Sequence, residues 1–213
     1  MVARDFAAVP AGNTLIRNEP VQARSTARLT ALMDAAAAVI DRIGYERLTT
    51  AMVADGAGAS IGTVYRYFPD RIAVLQALAA RNYARLHERL VAELDAGGHK
   101  NFHDARQAVF DVFVEMFRTE PGFRSLRVGD VLDLRPAAEE ETSYGRLGAA
   151  MLDEYTKRFQ ISANEEARFA FNAAIEVTDA LVARAFARDD KGDERYLKQG
   201  RTIANALLEP YFD

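Results

Sequence analysis

Hydroxyl-bearing and aromatic side chains concentrate between residues 49 and 68, in the stretch TTAMVADGAGASIGTVYRYF. The hydroxyls of Thr50, Tyr65 and Tyr67 can reach phosphate oxygens or base edges, and the guanidinium of Arg71 can pair with a phosphate. These are the groups with which a protein holds a nucleic-acid backbone. If one short structural unit presents them together, the pattern indicates DNA recognition.

Two short helices joined by a glycine turn are predicted to position these groups. Thr49 and Thr50 offer a side-chain oxygen at the start of the first helix, and Ser60 can cap the second. Gly58 suits the left-handed conformation that closes a helix. Pro69 ends the second helix, because the residue before a proline is pushed out of the α region. A helix-turn-helix of this kind places its second helix in a major groove.

Ten residues are the predicted DNA contacts of this motif and of the helix before it. They are Arg28, Thr49, Thr50, Ser60, Ile61, Gly62, Thr63, Tyr65, Tyr67 and Arg71. The hydroxyls and the guanidinium named above would chiefly anchor phosphates, whereas Thr63 and Ile61 would read bases. Gly62 costs a helix roughly 1 kcal/mol relative to alanine. That cost is understandable if the backbone must approach another molecule closely.

The segment from Thr26 to about Asn82 carries a longer series of motifs in uninterrupted order. They are Ala35-Ala36, Ile40, Gly44-Tyr45, Leu48-Thr49-Thr50, Val53-Ala54, Ala57-Gly58-Ala59-Ser60, Gly62-Thr63-Val64-Tyr65, Tyr67-Phe68 and Leu75. In order and spacing the segment resembles the DNA-binding domain of the TetR family of transcriptional regulators. The resemblance implies a homodimer that binds a palindromic operator on double-stranded DNA and responds to a small molecule.

Three positions depart from the family pattern. Position 61 is usually polar in the family and is Ile61 here, position 67 is often histidine and is Tyr67 here, and the usual serine-lysine is Asp70-Arg71. An isoleucine in the groove cannot read a base by hydrogen bonding, but it can pack on a thymine methyl group. Alternatively, Ile61 turns inward and completes a small core. The sequence leaves these two alternatives open.

Composition and charge narrow the class of protein. The chain has 213 residues and no cysteine, which excludes a disulfide framework and a cysteine-based metal site. Residues 1–89 hold 11 Lys/Arg and 8 Asp/Glu, whereas residues 90–213 hold 16 and 23, so the basic excess lies with the motif. No stretch approaches ~20 continuous apolar residues, and the first twenty residues do not form a convincing signal peptide. We expect a cytoplasmic protein that does not enter a membrane.

The periodicity predicts an all-α chain of about nine helices in three parts. Residues 1–24 form a flexible arm, 25–70 a three-helix DNA-binding domain and 71–213 a helical effector-binding and dimerisation domain. Beyond the motif, helices are predicted at about 26–43, 71–95, 102–119, 123–134, 138–160, 163–188 and 194–211. Gly44 ends the first of these, Asp70 caps the second, and Ser162 or Asn164 caps the helix at about 163–188.

The last two predicted helices, 163–188 and 194–211, are apolar on two stripes each. Their rows are Ala170, Ala174, Val177 and Leu181; Phe171, Ile175, Val182 and Phe186; Tyr196, Gly200, Ile203 and Leu207; and Leu197, Ala204 and Leu208. A surface helix needs one apolar stripe, so a second stripe indicates a second partner. We expect a symmetric homodimer in which two helices from each subunit form a four-helix bundle. The alternative is burial in the core of one subunit.

The resemblance also implies an effector site in the C-terminal domain. The candidate lining residues are Phe110, Phe113, Met116, Phe117, Tyr144, Met151, Tyr155 and Phe171, with Asn172, Glu176 and Asp179 as polar groups that could orient a ligand. Such an inventory suits an apolar or aromatic small molecule. Aromatic residues at helical spacing are also typical of an ordinary core, so this alternative stays open.

Enzymatic chemistry finds little support in the sequence. There is no cysteine nucleophile, no glycine-rich phosphate loop and no HExxH pattern. His99 and His103 are spaced to share a helix face, but no third ligand stands at metal spacing. We therefore expect no catalytic residue, no metal and no cofactor, and we predict a ligand-responsive transcriptional repressor. The alternative is a helical small-molecule-binding protein or enzyme that kept the scaffold without specific DNA recognition.

Overall fold

The computed structural model describes residues 23–126 and 143–212, which form helices and no strand. The helices are α1 (Ala23–Ile43), a 3-10 turn (Tyr45–Arg47), α2 (Thr50–Gly56), α3 (Ile61–Tyr67), α4 (Arg71–Ala96), α5 (Phe102–Thr119), α6 (Ser143–Phe159), α7 (Glu165–Arg188) and α8 (Glu194–Phe212). The predicted all-α class is confirmed. Within these residues no helix has the length and apolar character that crossing a membrane requires.

The helix boundaries follow the predicted capping residues. Thr49, Ser60, Asp70 and Asn164 each accept a hydrogen bond from the backbone N–H three residues further along, at 3.2, 3.2, 2.8 and 2.8 Å. Gly58 has a φ of 57°, in the left-handed region that closes α2. The predicted caps are therefore confirmed, with Asn164 rather than Ser162 at the start of α7.

Two compact units make up the described chain. Residues 23–84 and 121–126 belong to the first, and residues 85–120 and 143–212 belong to the second. The first unit has a core to which all four of its helices contribute. Its fully or nearly fully buried aliphatic and aromatic residues include Leu32, Ile40, Leu48, Val53, Val64, Phe68, Val74 and Leu78. Because these side chains recur every three or four residues, each helix buries one face and keeps the other in water.

In the second unit, α7 packs mainly along α8 and also contacts α5 and α6. Glycines allow two of these helix pairs to approach closely. A Cβ placed on Gly148 of α6 would lie 1.9 Å from Oδ1 of Asn172 on α7, and a Cβ on Gly200 of α8 would lie 3.4 Å from Cβ of Leu181. Asn172 therefore packs against α6, which accounts for its half-buried position.

Several predicted boundaries need correction. Residues 123–126, the described part of the helix predicted at 123–134, form a turn. The remainder of that helix, the start of the helix predicted at 138–160 and residues 1–22 of the predicted arm lie outside the described residues. Helix α1 is present from Ala23, earlier than the predicted start at Thr26. His99 precedes α5, so it does not share a helix face with His103.

Replacing Gly122 with alanine should destabilise the first unit. Gly122 has a φ of 75°, and a Cβ there would lie 3.0 Å from the carbonyl oxygen of Ala37. The left-handed backbone costs an alanine about 1–2 kcal/mol, and the crowded methyl group should add about 1–3 kcal/mol. We expect a total loss of about 2–5 kcal/mol in the free energy of unfolding, measured by urea denaturation.

Gly58→Ala is the matched control for this substitution. Gly58 also has a positive φ, but no atom lies within 4 Å of a Cβ built on it. Only the backbone cost of about 1–2 kcal/mol should appear. Equal losses for the two variants would show that the contact with Ala37 contributes nothing.

Candidate DNA interface and ligand cavity

Helix α3 divides its side chains between the core and solvent. Val64 is fully buried and Tyr67 is 5% exposed, whereas Ile61 and Tyr65 are each 43% exposed. Gly62 lies beside them on the exposed face. A seven-residue helix with one face anchored in the core and the other in solvent has the form of a groove-reading element.

Ile61 is the position for which the sequence left two orientations. With 43% of the residue exposed, it does not complete the core. The core of this unit contains Leu48, Val53 and Phe68 instead, each with at most 1% exposed. The structure therefore favours the outward orientation, which leaves the isoleucine available for an apolar contact.

Tyr67 has a different position from the predicted one. Its hydroxyl lies 3.0 Å from Oγ of Ser25 and donates to the carbonyl oxygen of the same residue at 3.4 Å. Tyr67 thus ties the end of α3 to the first turn of α1. Its phosphate contact stays a prediction, for a hydroxyl that is already hydrogen-bonded within the chain. The length of a tyrosine indicated how far its hydroxyl reaches, but it could not indicate the direction.

The hydroxyls of Thr50 and Tyr65 lie together on the surface. Oγ1 of Thr50 donates to the Tyr65 hydroxyl at 3.3 Å, which joins α2 to α3. Oγ of Ser60 lies 3.0 Å from Oγ1 of Thr63, so the Thr63 hydroxyl is shared with the capping residue. The first pair forms the polar part of the exposed face, and Thr63 is less available for base reading than predicted.

The two predicted arginines differ in their surroundings. Arg28 is exposed on α1. Nη1 of Arg71 donates to the carbonyl oxygens of Tyr45 and Glu46 at 3.2 and 3.1 Å, so this side chain fastens the 3-10 turn to α4. If Arg71 contacts a phosphate as predicted, it must do so while its Nη1 is hydrogen-bonded to the backbone of Tyr45 and Glu46.

The second unit contains a cavity of about 100 Å³, bordered by residues of α4 to α8. Five of the predicted ligand residues line it: Phe110, Phe113, Met151, Tyr155 and Phe171. Met116 and Phe117 do not, since they are buried in the core with 0% and 1% exposed. Glu176 is exposed and Asp179 is buried, and neither borders the cavity. The side chain of Tyr144 lies outside the described residues.

The long polar side chains at the cavity come from α5 and α8, and α7 contributes Thr178. The predicted Asn172, Glu176 and Asp179 do not border it. Nη1 of Arg201 donates to Oε1 of Gln107 at 2.8 Å, and Nε2 of Gln107 donates to Oδ1 of Asn205 at 2.9 Å. Arg201 also lies 4.2 Å above the ring centroid of Phe110 and pairs with Asp111. Gln107 and Asp111 are four residues apart, as are Arg201 and Asn205. This spacing places each pair on one face of its helix, but the contact between the two helices comes only from the fold.

No candidate metal site is found among the described residues. Across residues 23–126 and 143–212, no three potential His, Cys, Asp or Glu ligands converge.

Aromatic rings pack around Tyr155 in the second unit. Its ring centroid lies 4.9 Å from that of Phe102 and 5.9 Å from that of Phe171. The geometry is that of an apolar ligand site with a polar edge.

Comparison with known proteins agrees with both parts of this description. Residues 32–78 match the family model for bacterial regulatory proteins of the tetR family, and residues 100–212 match the model for the tetracyclin repressor-like C-terminal domain. The HTH-type transcriptional repressor KstR of Mycobacterium tuberculosis is 33% identical over 66 residues, which are 31% of this chain and 30% of KstR. The chain thus matches about a third of the length of that relative.

Solved structures show the same fold over most of the chain. A TetR-family transcriptional regulator from Streptomyces coelicolor has a TM-score of 0.73 and 30% identity, covering 87% of this chain and 99% of its own. The SmeT–triclosan complex has a TM-score of 0.54 and 18% identity, covering 88% and 92%, and shows likeness in fold alone. Since the C-terminal family model by itself spans more than half of the sequence, the chain belongs to the TetR family of bacterial regulatory proteins.

Proposed function

We propose that this protein is a ligand-responsive transcriptional repressor that binds a palindromic operator as a homodimer. The observation that carries the proposal is α3, whose exposed face offers Ile61, Gly62 and Tyr65 while Val64 and Tyr67 fix it in the core. A short helix held in this way can enter a major groove and contact base edges. KstR, a relative in the N-terminal part, is itself a transcriptional repressor.

Helices α7 and α8 support the dimer. Phe169 of α7 is 76% exposed and Tyr211 of α8 is 43% exposed, and the apolar residues Val177, Ile203 and Leu207 remain half-buried in the single chain. Apolar side chains on packed helices that stay accessible to solvent mark an interaction surface. A second copy of the same helices would cover them in a four-helix bundle, as two-fold symmetry requires.

The cavity supports the effector. It lies in the unit that contains α5 to α8, and its aromatic wall and polar edge suit a small organic molecule. The SmeT structure shows that a protein of this fold can be solved with triclosan. We propose that ligand binding in the cavity lowers operator affinity because the ligand binds the DNA-free conformation more tightly.

Selection of bound sequences from random DNA is the direct test of this function. We expect enrichment of a palindrome, one dimer on each site by light scattering, and steep loss of affinity with salt. Failure to enrich any sequence, with equal affinity for all duplexes, would favour a ligand-binding protein without specific DNA recognition. The exposed face of α3 supports the first outcome.

Gly62→Ala is expected to separate folding from DNA binding. A Cβ at Gly62 would meet only Oγ of Ser60, at 3.8 Å, so the free protein has room for the methyl group. Removing a helix glycine should stabilise the fold by up to about 1 kcal/mol. If DNA approaches the backbone here, operator affinity should fall by about tenfold or more, equivalent to roughly 1.4 kcal/mol. Fluorescence anisotropy and thermal melting measure the two effects. Unchanged affinity would mean that the α3 backbone stays away from DNA.

A further inference from the structure

The exposed face of α3 has few side chains that read bases by hydrogen bonding. The helix contains no asparagine, glutamine, lysine, aspartate or glutamate, and its exposed residues are Ile61, Gly62, Tyr65 and Arg66. Arg66 is thus the one side chain of α3 that belongs to the types which make paired hydrogen bonds to base edges. Oγ1 of Thr63 lies 3.0 Å from Oγ of Ser60, within the motif itself. The remainder of the exposed face is mostly apolar.

Ile61, Gly62 and Tyr65 form an apolar notch on this face. Ile61 and Tyr65 are four residues apart, so their side chains are neighbours one turn apart, and each residue is 43% exposed. Gly62 stands three residues before Tyr65 and adds no side chain. A Cβ built on it would meet only Oγ of Ser60, at 3.8 Å, so the surface beside the two larger side chains is open. The notch therefore has room for a small apolar group between an aliphatic side chain and an aromatic ring.

Contacts within the motif hold the notch in shape. Val64 is fully buried and Tyr67 is 5% exposed, so α3 is anchored in the core behind it. Oγ1 of Thr50 donates to the Tyr65 hydroxyl at 3.3 Å, which restrains the tyrosine ring from α2. Isoleucine is branched at Cβ and has one strongly preferred χ1 rotamer in a helix. A group that enters the notch therefore orders little that is not already fixed.

The base edges in a major groove offer one kind of apolar group to such a notch. Thymine presents its C5 methyl group there, whereas the other groups on the edges of the four bases are hydrogen-bond donors and acceptors. The N-terminal residues of a recognition helix contact base edges, and Ile61 and Gly62 are the first two residues of α3. A pyrimidine methyl group thus matches the notch in chemistry, size and location.

We propose that Ile61, Gly62 and Tyr65 select thymine at one position of each operator half-site by enclosing its C5 methyl group. This assignment rests on the proposed function and identifies what one part of the interface recognises. Burying one methyl group corresponds to about a fourfold change in affinity, so the two half-sites of a palindrome together give about 16-fold.

Removal of the methyl group alone is the direct test. In the operator selected from random DNA, each thymine is replaced in both half-sites by uracil, which keeps every hydrogen-bonding group of the base. Fluorescence anisotropy at a fixed salt concentration then measures the affinity of the full-length protein. One symmetric pair of thymines should show a loss of about 16-fold, and the other positions should show much smaller losses.

Ile61→Ala assigns the methyl contact to a residue. The variant has a good helix former at an exposed position, so it should fold. The difference between thymine and uracil should shrink to about threefold or less in this variant, because the two changes remove the same contact. Ile72→Ala is the matched control, since Ile72 is 42% exposed in the same unit but lies on α4. It should retain the full difference.

A second base substitution separates the methyl group from the rest of thymine. 5-Methylcytosine carries the same methyl group on a base with the hydrogen-bonding pattern of cytosine. At the selected position, the 5-methylcytosine operator should bind more tightly than the cytosine operator by about fourfold in each half-site, and the thymine operator should remain the tightest. Tighter binding of the 5-methylcytosine operator than of the thymine operator would show that methylated cytosine is the base recognised and would contradict thymine.

Three further results would overturn the thymine contact. They are a selected palindrome without thymine, uracil substitutions that leave affinity unchanged at every position, and a loss with uracil that persists in full in Ile61→Ala. Each of them leaves the repressor intact, since the protein still binds a specific palindrome. Failure to select any sequence would instead contradict the proposed function, and the thymine contact with it.

Discussion

Ile61→Glu should lower operator affinity by at least about 100-fold without lowering the melting temperature. Ile61 is 43% exposed at the first position of α3, so a charged side chain there remains in water in the free protein. In the complex its carboxylate would be surrounded by phosphates, and juxtaposed like charges cost several kcal/mol. An acidic residue in the first turn also favours the helix dipole, which argues against destabilisation. Anisotropy titrations at a fixed salt concentration measure the loss.

Two variants control for this substitution. Ile61→Val retains an apolar side chain and should change affinity only several-fold. Ala92→Glu adds the same charge at an exposed position of α4 outside the motif and should have a small effect. If Ile61→Glu and Ala92→Glu weakened binding equally, the effect would be one of net charge, and Ile61 would not lie at the DNA interface.

Removing Arg85 and Arg89 together should destabilise the second unit by about 3–5 kcal/mol, the cost typical of leaving a buried charge without its partner. The carboxylate of Glu120 has a side-chain exposure of 4% and pairs with Nη1 of Arg85 and with Nη2 of Arg89, the latter at 3.2 Å. Nη1 of Arg89 also donates to Oγ1 of Thr119 at 3.3 Å. These contacts fasten α4 to the end of α5. In Arg85→Gln/Arg89→Gln, Glu120 would remain buried without either cation.

Glu120→Gln should cost less, about 1–2 kcal/mol, because both arginines can then be solvated. Their side chains are 38% and 42% exposed, so water already reaches them. The triple variant should be more stable than the double arginine variant, since it no longer contains the isolated carboxylate. Urea denaturation followed by circular dichroism provides the ranking. A larger loss for Glu120→Gln than for the double arginine variant would contradict this account.

Short-range signals in the sequence predicted much of the local structure. Thr49, Ser60, Asp70 and Asn164 cap helices because each offers an oxygen to an N–H only three residues away. Gly58 closes α2 because glycine adopts the left-handed conformation without a Cβ penalty. These interactions depend on neighbouring residues alone, so they hold wherever the helices pack.

Side-chain direction was predicted less well at the candidate site. Tyr65 and Tyr67 are two residues apart on one seven-residue helix, yet one is 43% exposed and the other 5%. The difference arises because Tyr67 faces Ser25 at the start of α1, 42 positions away in sequence. The spacing of aromatic residues was the same evidence for both, and only the packing of α3 against α1 separates them.

Side-chain direction was also hard to predict at the cavity. Phe113 and Phe117 stand one turn apart on α5, but Phe113 borders the cavity and Phe117 packs against Phe186 of α7 with ring centroids 5.3 Å apart. Arg106 of α5 and Arg201 of α8 both border the cavity although they are 95 positions apart in sequence, and no local pattern associates them with each other.

The sequence by itself determined the helical class, the caps, the glycine turn and the membership of a DNA-binding family, because periodicity, capping and backbone conformation are local properties. The tertiary structure decided that Ile61 faces outward, that Tyr67 and Arg71 hold their own chain, and that Arg106 and Tyr155 share a cavity. Those outcomes depend on how helices distant in sequence exclude water between them. Side-chain orientation is therefore set by packing between helices, and the sequence of one segment does not specify it.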